Sequence, residues 1–221
     1  MARLPRLSLA GQMHWVIQRA HPGSQIFVDA ADRDTFLTAL RVAAAAEQVL
    51  IHAFALLGAE VHLLVTPAIG SGLSRLMQSL GRRYVSAHHR RHGGSGTLWA
   101  GRFRCAVVEP GATLLDVLCL IDGLSAEPGS TSLEHRASGD AQPLLVDPPE
   151  YWRSGNTPFE RQLAWRRRVF EGLSARRVTA LRSAALGGWA VGSAAFAAQV
   201  SASAARPAAP RPRGRPRTRL A

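Results

Sequence analysis

The sequence contains no lysine, so all 27 of its basic residues are arginine. It has two cysteines, Cys105 and Cys119, whose spacing fits neither a disulfide framework nor a zinc site, and we predict two reduced thiols near the core. No apolar run approaches the roughly 20 residues that a membrane span requires, and the N-terminus lacks the pattern of a signal peptide. These absences predict a cytoplasmic protein with no membrane partner.

Positive charge is the main feature of the composition. The chain carries 27 basic and 15 acidic residues, which gives a formal net charge of +12 and a pI near 11.5. An excess of this size indicates a polyanionic partner, nucleic acid first, and arginine suits bidentate contacts with phosphate and guanine. We therefore predict DNA binding and an association with the bacterial nucleoid.

Composition divides the chain into four parts. Residues 1–128 hold the patterned strands and helices of one domain. A predicted linker over 129–156, a helical extension over 157–200 and a disordered Arg/Pro-rich tail over 201–221 follow. The tail contains six arginines and no acidic residue, so it supplies half of the net charge.

Hydrophobic periodicity within the first part predicts four strands and three helices in the order βαββαβα. The strands are predicted at 13–19, 49–57, 60–66 and 103–109, and the helices at 32–48, 73–91 and 112–124. This order is typical of an α+β, ferredoxin-like fold, an antiparallel βαββαβ sheet with its helices on one face.

The third predicted strand carries two side chains that can bind a metal. Glu60 and His62 are two residues apart, and because side chains alternate along a strand, both point to the same face. Carboxylate oxygen suits Mg²⁺ or Mn²⁺, and imidazole nitrogen adds a second ligand. We predict Glu60 and His62 as a weak metal pair. The alternative is that Glu60 is a solvated residue beside the turn at 58–59.

Several strings, in order along the chain, resemble the REP-associated branch of the single-tyrosine HUH transposases. They are MARLPRL, HWVIQRAHPGSQIF, SRLMQSLGRRYV, GTLWAGRFR, GWAVGSAAF and GRPR. The resemblance implies the ferredoxin-like fold and an activity that cleaves and rejoins single-stranded hairpin DNA. In that family a tyrosine attacks a backbone phosphate, and a divalent metal held by two strand histidines polarises it.

The chain departs from this family at the positions that carry the chemistry. Glu60 replaces one of the two strand histidines. Leu120 stands at the tyrosine position, and Leu124 stands one turn later, where the family has a polar residue that helps to hold the metal. Leucine has no nucleophilic atom, so we predict no catalytic residue. A longer, aromatic family segment is replaced by Ser130–Arg136.

The chain has two tyrosines and one further carboxylate that are candidates to replace the lost chemistry. Tyr84 lies on the apolar stripe of its predicted helix, so we expect it to pack in the core. Tyr151 lies in the predicted linker and is no better a candidate. Asp116, one turn before Leu120, is a further candidate metal ligand.

DNA contact does not require the cutting site, because affinity comes mainly from neutralising phosphates. A set of residues that alternates charge with an aromatic surface suits single-stranded DNA: Arg82, Arg83, Trp99, Arg102 and Arg104. In the tail, Arg213, Arg215 and Arg217 form an AT-hook-like motif that suits the narrow minor groove. The alternatives are that Trp99 is a core residue and that the helical arginines form a solvated face.

The leading hypothesis is a DNA-binding relative of these transposases, with hairpin or single-stranded DNA as partner and catalysis lost. One alternative is an active metal-dependent transposase with an unorthodox site. Another is a domesticated regulator that binds DNA or RNA. The sequence leaves the oligomeric state open between a monomer and a homodimer.

Overall fold

The structure is a computed structural model that describes residues 5–204 and 206–210. The strands are β1 (His14–Arg19), β2 (Val49–Leu56), β3 (Glu60–Pro67) and β4 (Arg104–Val107). The helices are α1 (Ala30–Ala46), α2 (Gly72–His92), α3 (Ala112–Asp122), α4 (Leu133–Ala137), α5 (Pro149–Trp152), α6 (Pro158–Glu171), α7 (Ala175–Gly187) and α8 (Ala194–Ser203). Among these residues, no helix combines the length and the apolar character that a bilayer crossing needs.

The four strands form one antiparallel sheet in the order β2-β3-β1-β4. Strand β3 therefore lies inside the sheet, with Val61 paired to Gln18 of β1 on one side and to Leu56 of β2 on the other. With α1 and α2 as the crossover helices, this is the ferredoxin-like βαββαβ arrangement. The predicted α+β fold class is confirmed.

Both faces of the sheet are covered. Helices α1 and α2, the two helices of the βαββαβ unit, pack on the face that carries Val16, Leu63 and Val65. Helices α3, α6 and α7 pack on the opposite face, which carries Trp15 and Leu64. A strand buried on both faces is apolar at consecutive positions, which explains the run from Leu63 to Val65. Both cysteines are free and buried, one in each layer of the core.

The segment 129–156, the predicted linker, contains α4 and α5 and packs against strand β2. Residues 130–132 run along β2, where the Ser130 and Phe54 carbonyls accept hydrogen bonds from the Leu56 and Ser132 amides. The Val146 amide also donates to the Ile51 carbonyl of the same strand. The segment thus covers the outer edge of β2, and an unpaired edge is costly to leave open. Pairing that uses only backbone atoms leaves no pattern in the sequence.

The beginning of the predicted disordered tail is also packed. Ser201 belongs to α8, and Ala208 is fully buried beside Leu7 and Phe196. The Ala208 carbonyl accepts a hydrogen bond from the Ala190 amide at 2.7 Å. The AT-hook-like arginines Arg213, Arg215 and Arg217 lie outside the described residues.

Candidate functional site

Glu60 and His62, the predicted pair on β3, lie side by side. Glu60 Oε2 lies 3.0 Å from His62 Nε2, so both side chains project from the same face of an inner strand. His62 is fully buried, whereas the Glu60 side chain retains 17% of its exposure. The face is the one covered by α3, α6 and α7, because Trp15 and Leu64 share it.

Two arginines donate hydrogen bonds to the Glu60 carboxylate. Arg19 Nε of β1 donates to Oε1 at 2.8 Å, and Arg182 Nη2 of α7 donates to Oε2 at 2.8 Å. The hydrogen bond from His62, reinforced by Arg182, holds the pKa of Glu60 well below its usual range. The carboxylate is therefore ionised, and guanidinium groups rather than water neutralise it. This excludes the alternative of a merely solvated Glu60.

Both ring nitrogens of His62 take part in hydrogen bonds. The indole Nε1 of Trp15 lies 3.2 Å from Nδ1, and since an indole nitrogen only donates, Nδ1 must accept. Nε2 then carries the proton and donates to Glu60. Burial lowers the pKa of His62, which is consistent with this neutral tautomer. In this arrangement neither ring nitrogen has a free lone pair for a metal.

The remaining positions of a family-type metal site do not supply ligands either. Leu120 and Leu124 pack against the apolar cluster beneath α3. Asp116 is held by Arg168 Nη2 and Arg177 Nε, each at 2.8 Å from a different carboxylate oxygen. The donor set around β3 therefore does not fit a divalent metal, because guanidinium groups hold the carboxylates of Glu60 and Asp116 and Leu124 stands at the position of the third ligand.

Both tyrosines are built into the core. Tyr84 is fully buried, its hydroxyl donates to the Ile26 carbonyl at 2.5 Å, and burial raises its pKa. Tyr151 is 5% exposed, and its hydroxyl donates to the Arg136 carbonyl at 3.0 Å. A phenol that donates to a backbone carbonyl inside the core is not placed to attack a phosphate.

A basic groove of about 580 Å³ opens beside β1 and β4. Its lining includes five arginines and no acidic residue: Arg6, Arg19, Arg102, Arg104 and Arg206. The Nε atoms of Arg6 and Arg206 are buried without a hydrogen-bond partner among the described residues. Burial, and then the neighbouring charge of Arg102, lower the pKa of Arg6. Cations that repel each other and keep unmet donors favour a bound anion.

A second cavity, of about 610 Å³, adjoins the groove and is mainly apolar. Met77, Val85, Phe103 and the partly buried Trp99 line it, and Arg82 and Arg102 lie at its wall. Gly101 lines both cavities and has a φ of 127°, a backbone conformation that favours glycine. Four of the five predicted DNA-contacting residues of the domain thus meet at these two cavities. Arg83 is exposed on α2 and lines neither.

Sequence reasoning missed Arg182, Arg6 and Arg206. Arg182 is 122 residues from its partner Glu60, and Arg206 is 201 residues from the Pro5 carbonyl to which it donates. In the sequence, these three arginines are marked only by a positive charge that has no acidic residue nearby in the chain. Because the chain has 27 arginines, this property does not distinguish them from the others.

The fold and the β3 pair define an α+β protein of the ferredoxin-like class with an acid–histidine pair on an inner strand. No protein-family model matches the chain, and no curated protein matches it. Among solved structures, it is similar to a REP-associated tyrosine transposase bound to a REP hairpin. The TM-score is 0.53 at 14% identity, over 68% of this chain and 93% of the other. The fold implied by the sequence resemblance is thereby confirmed.

A second solved structure, called "a putative transposase" from Deinococcus radiodurans, matches with a TM-score of 0.37 at 24% identity. The match covers 49% of this chain and 88% of the other.

Proposed function

We propose that this protein binds single-stranded or hairpin DNA through the basic groove and the adjoining Trp99 cavity, and that it does not cut the DNA. The observation that carries the proposal is the junction of these two cavities. One offers cations that form no ion pair among the described residues, Arg6, Arg102, Arg104 and Arg206, and the other offers an apolar, aromatic surface. The similarity to a transposase that holds a REP hairpin supports DNA as the ligand.

The groove supplies the phosphate contacts. Among the described residues, Arg102 and Arg104 form no ion pair, although both project from the segment that enters β4. They are free to bind phosphate without breaking an existing contact. Arg6 lies over the Phe103 ring at 3.9 Å, which fixes a third cation next to them.

The cavity supplies the base contact. Trp99 is only partly buried, so one part of its ring packs against the core and another part faces the cavity. The packing in the core and the proposed base contact therefore involve different parts of one ring. Stacking on an aromatic side chain tolerates any base, which suits the flexible loop or end of a hairpin.

The proposed loss of cutting rests on three features acting together. No tyrosine of the described residues reaches the β3 pair by a hydrogen bond, Leu120 provides no nucleophile, and guanidinium groups hold the carboxylates. A protein of this kind retains the affinity for DNA, because phosphate neutralisation does not depend on these groups.

The test is binding of a fluorescent DNA hairpin by anisotropy at several salt concentrations. We expect the Arg102→Ala/Arg104→Ala double variant to bind more weakly and to lower the slope of log affinity against log salt by about 1.4, which is about 0.7 per single-strand phosphate contact. Arg41→Ala/Arg153→Ala removes the same charge from exposed positions elsewhere and should keep the slope. Equal slopes in both double variants would contradict the proposal.

Two further measurements test the base contact at Trp99 and the preference for DNA over RNA. Trp99→Ala should cost about 1–3 kcal/mol of binding free energy, whereas Trp152→Ala, at an exposed tryptophan, should cost little. RNA of the same hairpin sequence should bind less tightly, and tighter RNA binding would overturn the choice of DNA.

The tail is tested separately, as the source of the proposed minor-groove contacts of Arg213, Arg215 and Arg217. The truncation should begin at residue 211, because Ala208 and Ser201 belong to the packed part of the chain. We expect the truncated protein to keep hairpin binding and to lose affinity for A·T-rich duplex DNA.

A further inference from the structure

A second cluster of possible metal ligands lies on the opposite side of the sheet from the β3 pair. Asp32 stands in the first turn of α1, and His88 and His92 stand in the last turns of α2, one turn apart on the same face. Each offers one ligand atom, and the three atoms lie within 4.8 Å of one another.

His88 is the unusual member of this cluster. It is 8% exposed, and both of its ring nitrogens are buried without a hydrogen-bond partner among the described residues. Leaving a buried polar group unpaired costs about 1–3 kcal/mol, so such groups are rare in folded proteins. The ring lies 4.7 Å from that of His92, centroid to centroid. A ligand that accepts an imidazole lone pair would remove this cost.

Three neighbouring groups donate hydrogen bonds to the Asp32 carboxylate. The Val28 amide donates to Oδ2 at 2.8 Å, and Arg91 Nη1 donates to Oδ1 at 2.6 Å. His92 Nε2 lies 2.9 and 3.0 Å from the two oxygens. A metal ion bound here would replace the hydrogen on His92 Nε2, which would be released as a proton, and the Val28 amide and Arg91 would remain as outer partners that fix the carboxylate. The cluster differs from the β3 pair because one arginine rather than two holds the carboxylate, and because His88 has both ring nitrogens unpaired among the described residues.

We propose that Asp32, His88 and His92 form a binding site for Zn²⁺ or a similar transition-metal ion. Two imidazoles and one carboxylate are ligands that zinc prefers, whereas Mg²⁺ prefers oxygen alone. Tetrahedral ligands about 2.1 Å from an ion lie about 3.4 Å apart. The distance of 2.9 Å between His92 Nε2 and Asp32 would widen to this value, and the distances of up to 4.8 Å within the cluster would shorten to it. His92 lies at the surface, which gives the ion a path of entry and leaves the fourth position to water.

The ion would connect the start of α1 to the end of α2. A cation is favoured at a helix C-terminus by the helix dipole. The chain leaves α2 at Gly93, and His89 holds the following loop through the Gly93 and Gly96 carbonyls. This loop leads to Trp99. The proposed ion would therefore stiffen the wall of the proposed base-binding cavity, although its binding does not depend on DNA.

The experiment uses the full chain stripped of metal with a chelator. Calorimetric titration with Zn²⁺ should show one tight site, and Co²⁺ should give the intense visible absorption of a tetrahedral complex. At a hundredfold excess over Kd, Zn²⁺ should raise the melting temperature by about 5–10 °C. His92→Ala and Asp32→Asn should each weaken Zn²⁺ binding by more than about 100-fold, beyond the usual effect of losing an outer partner.

Two control variants test whether Zn²⁺ binds at the proposed cluster rather than at a neighbouring histidine or at the β3 pair. His89→Ala removes the neighbouring histidine, whose ring points to the loop carbonyls, and should keep Zn²⁺ binding. Glu60→Gln disables the β3 pair and should also keep it. Because His92 is at the surface, its variant should fold even where a buried His88→Ala variant does not. The absence of a saturable site, unchanged affinity in His92→Ala, or loss of binding in Glu60→Gln would each overturn the proposal.

Discussion

Arg136 shows how much a single residue organises in this molecule. It is fully buried, and each of its five N–H groups has an acceptor. These acceptors are Asp122 Oδ1 and Oδ2, Asp147 Oδ1, Ser132 Oγ and the His52 carbonyl. Trp165 Nε1 adds a further bond to Asp122 at 2.8 Å. One guanidinium thus joins α3, α4, α6 and β2.

We expect Arg136→Ala to lower the free energy of unfolding by about 3–5 kcal/mol, because it leaves the buried Asp122 carboxylate without its cation. Urea denaturation followed by circular dichroism measures this value. Arg153→Ala, at an exposed arginine, should change it by less than about 0.5 kcal/mol. A loss below about 1 kcal/mol for Arg136→Ala would mean that the network relaxes around the missing side chain.

At the scale of elements, α7 has the largest effect on the candidate chemistry. It packs on β1 and β4 and brings Arg182 to the carboxylate of Glu60. A helix in this place closes the face of the sheet on which a metal and a phosphate would have to meet. The proposed loss of catalysis therefore involves a covering element as well as the substituted residues.

This arrangement predicts the outcome of an attempt to restore cutting. Glu60→His, Leu120→Tyr and Leu124→Asn together should not form a covalent adduct with labelled hairpin DNA in Mn²⁺. The same three substitutions with Arg182→Ala should form more adduct, because the cation that competes with the metal is gone. Denaturing gels detect the adduct, and the unchanged protein should give none. An adduct in the unchanged protein that disappears in Tyr84→Phe or Tyr151→Phe would refute the loss of cutting.

The elements that could be predicted from sequence are those with a local pattern. The alternation around Glu60 and the apolar stripe of Leu73, Leu76 and Leu80 placed β3 and α2 within one or two residues. The edge segment at 130–132 escaped prediction because its contacts with β2 are made by the backbone. The β3 pair was found from spacing alone. Arg182 was not, because only tertiary packing brings α7 to that pair.

At the scale of the whole molecule, acid should destabilise the fold through a buried histidine. His14 is fully buried, with Nδ1 2.7 Å from the Gln12 carbonyl and Nε2 3.0 Å from the Leu9 amide. An amide only donates, so Nε2 must stay unprotonated. Burial lowers the pKa of His14 to about 4. Between about pH 6.5 and pH 4 the unfolded chain therefore binds a proton that the folded chain does not.

The free energy of unfolding should consequently be highest above about pH 6.5 and should fall as the pH drops to about 4, by up to about 1.4 kcal/mol per pH unit for this proton. His14→Gln should reduce that slope, whereas His21→Gln, at an exposed histidine, should not. Urea denaturation at a series of pH values gives the slopes. The same slope in His14→Gln and the unchanged protein would assign the acid sensitivity to other groups.

The pairing of residues near Val191 with the outer edge of β4 has a consequence for synthesis on the ribosome. The Val191 amide donates to Val107, and the Ala208 carbonyl closes on Ala190 beside Leu7. About 100 residues separate β4 from Ala208, which is about 5–20 s of translation at about 5–20 residues per second. Throughout that time the nascent chain presents an unpaired strand edge and an uncovered N-terminal leucine to other chains. We therefore expect the nascent chain to be most prone to aggregation until the residues near Val191 and Ala208 have been synthesised and have packed.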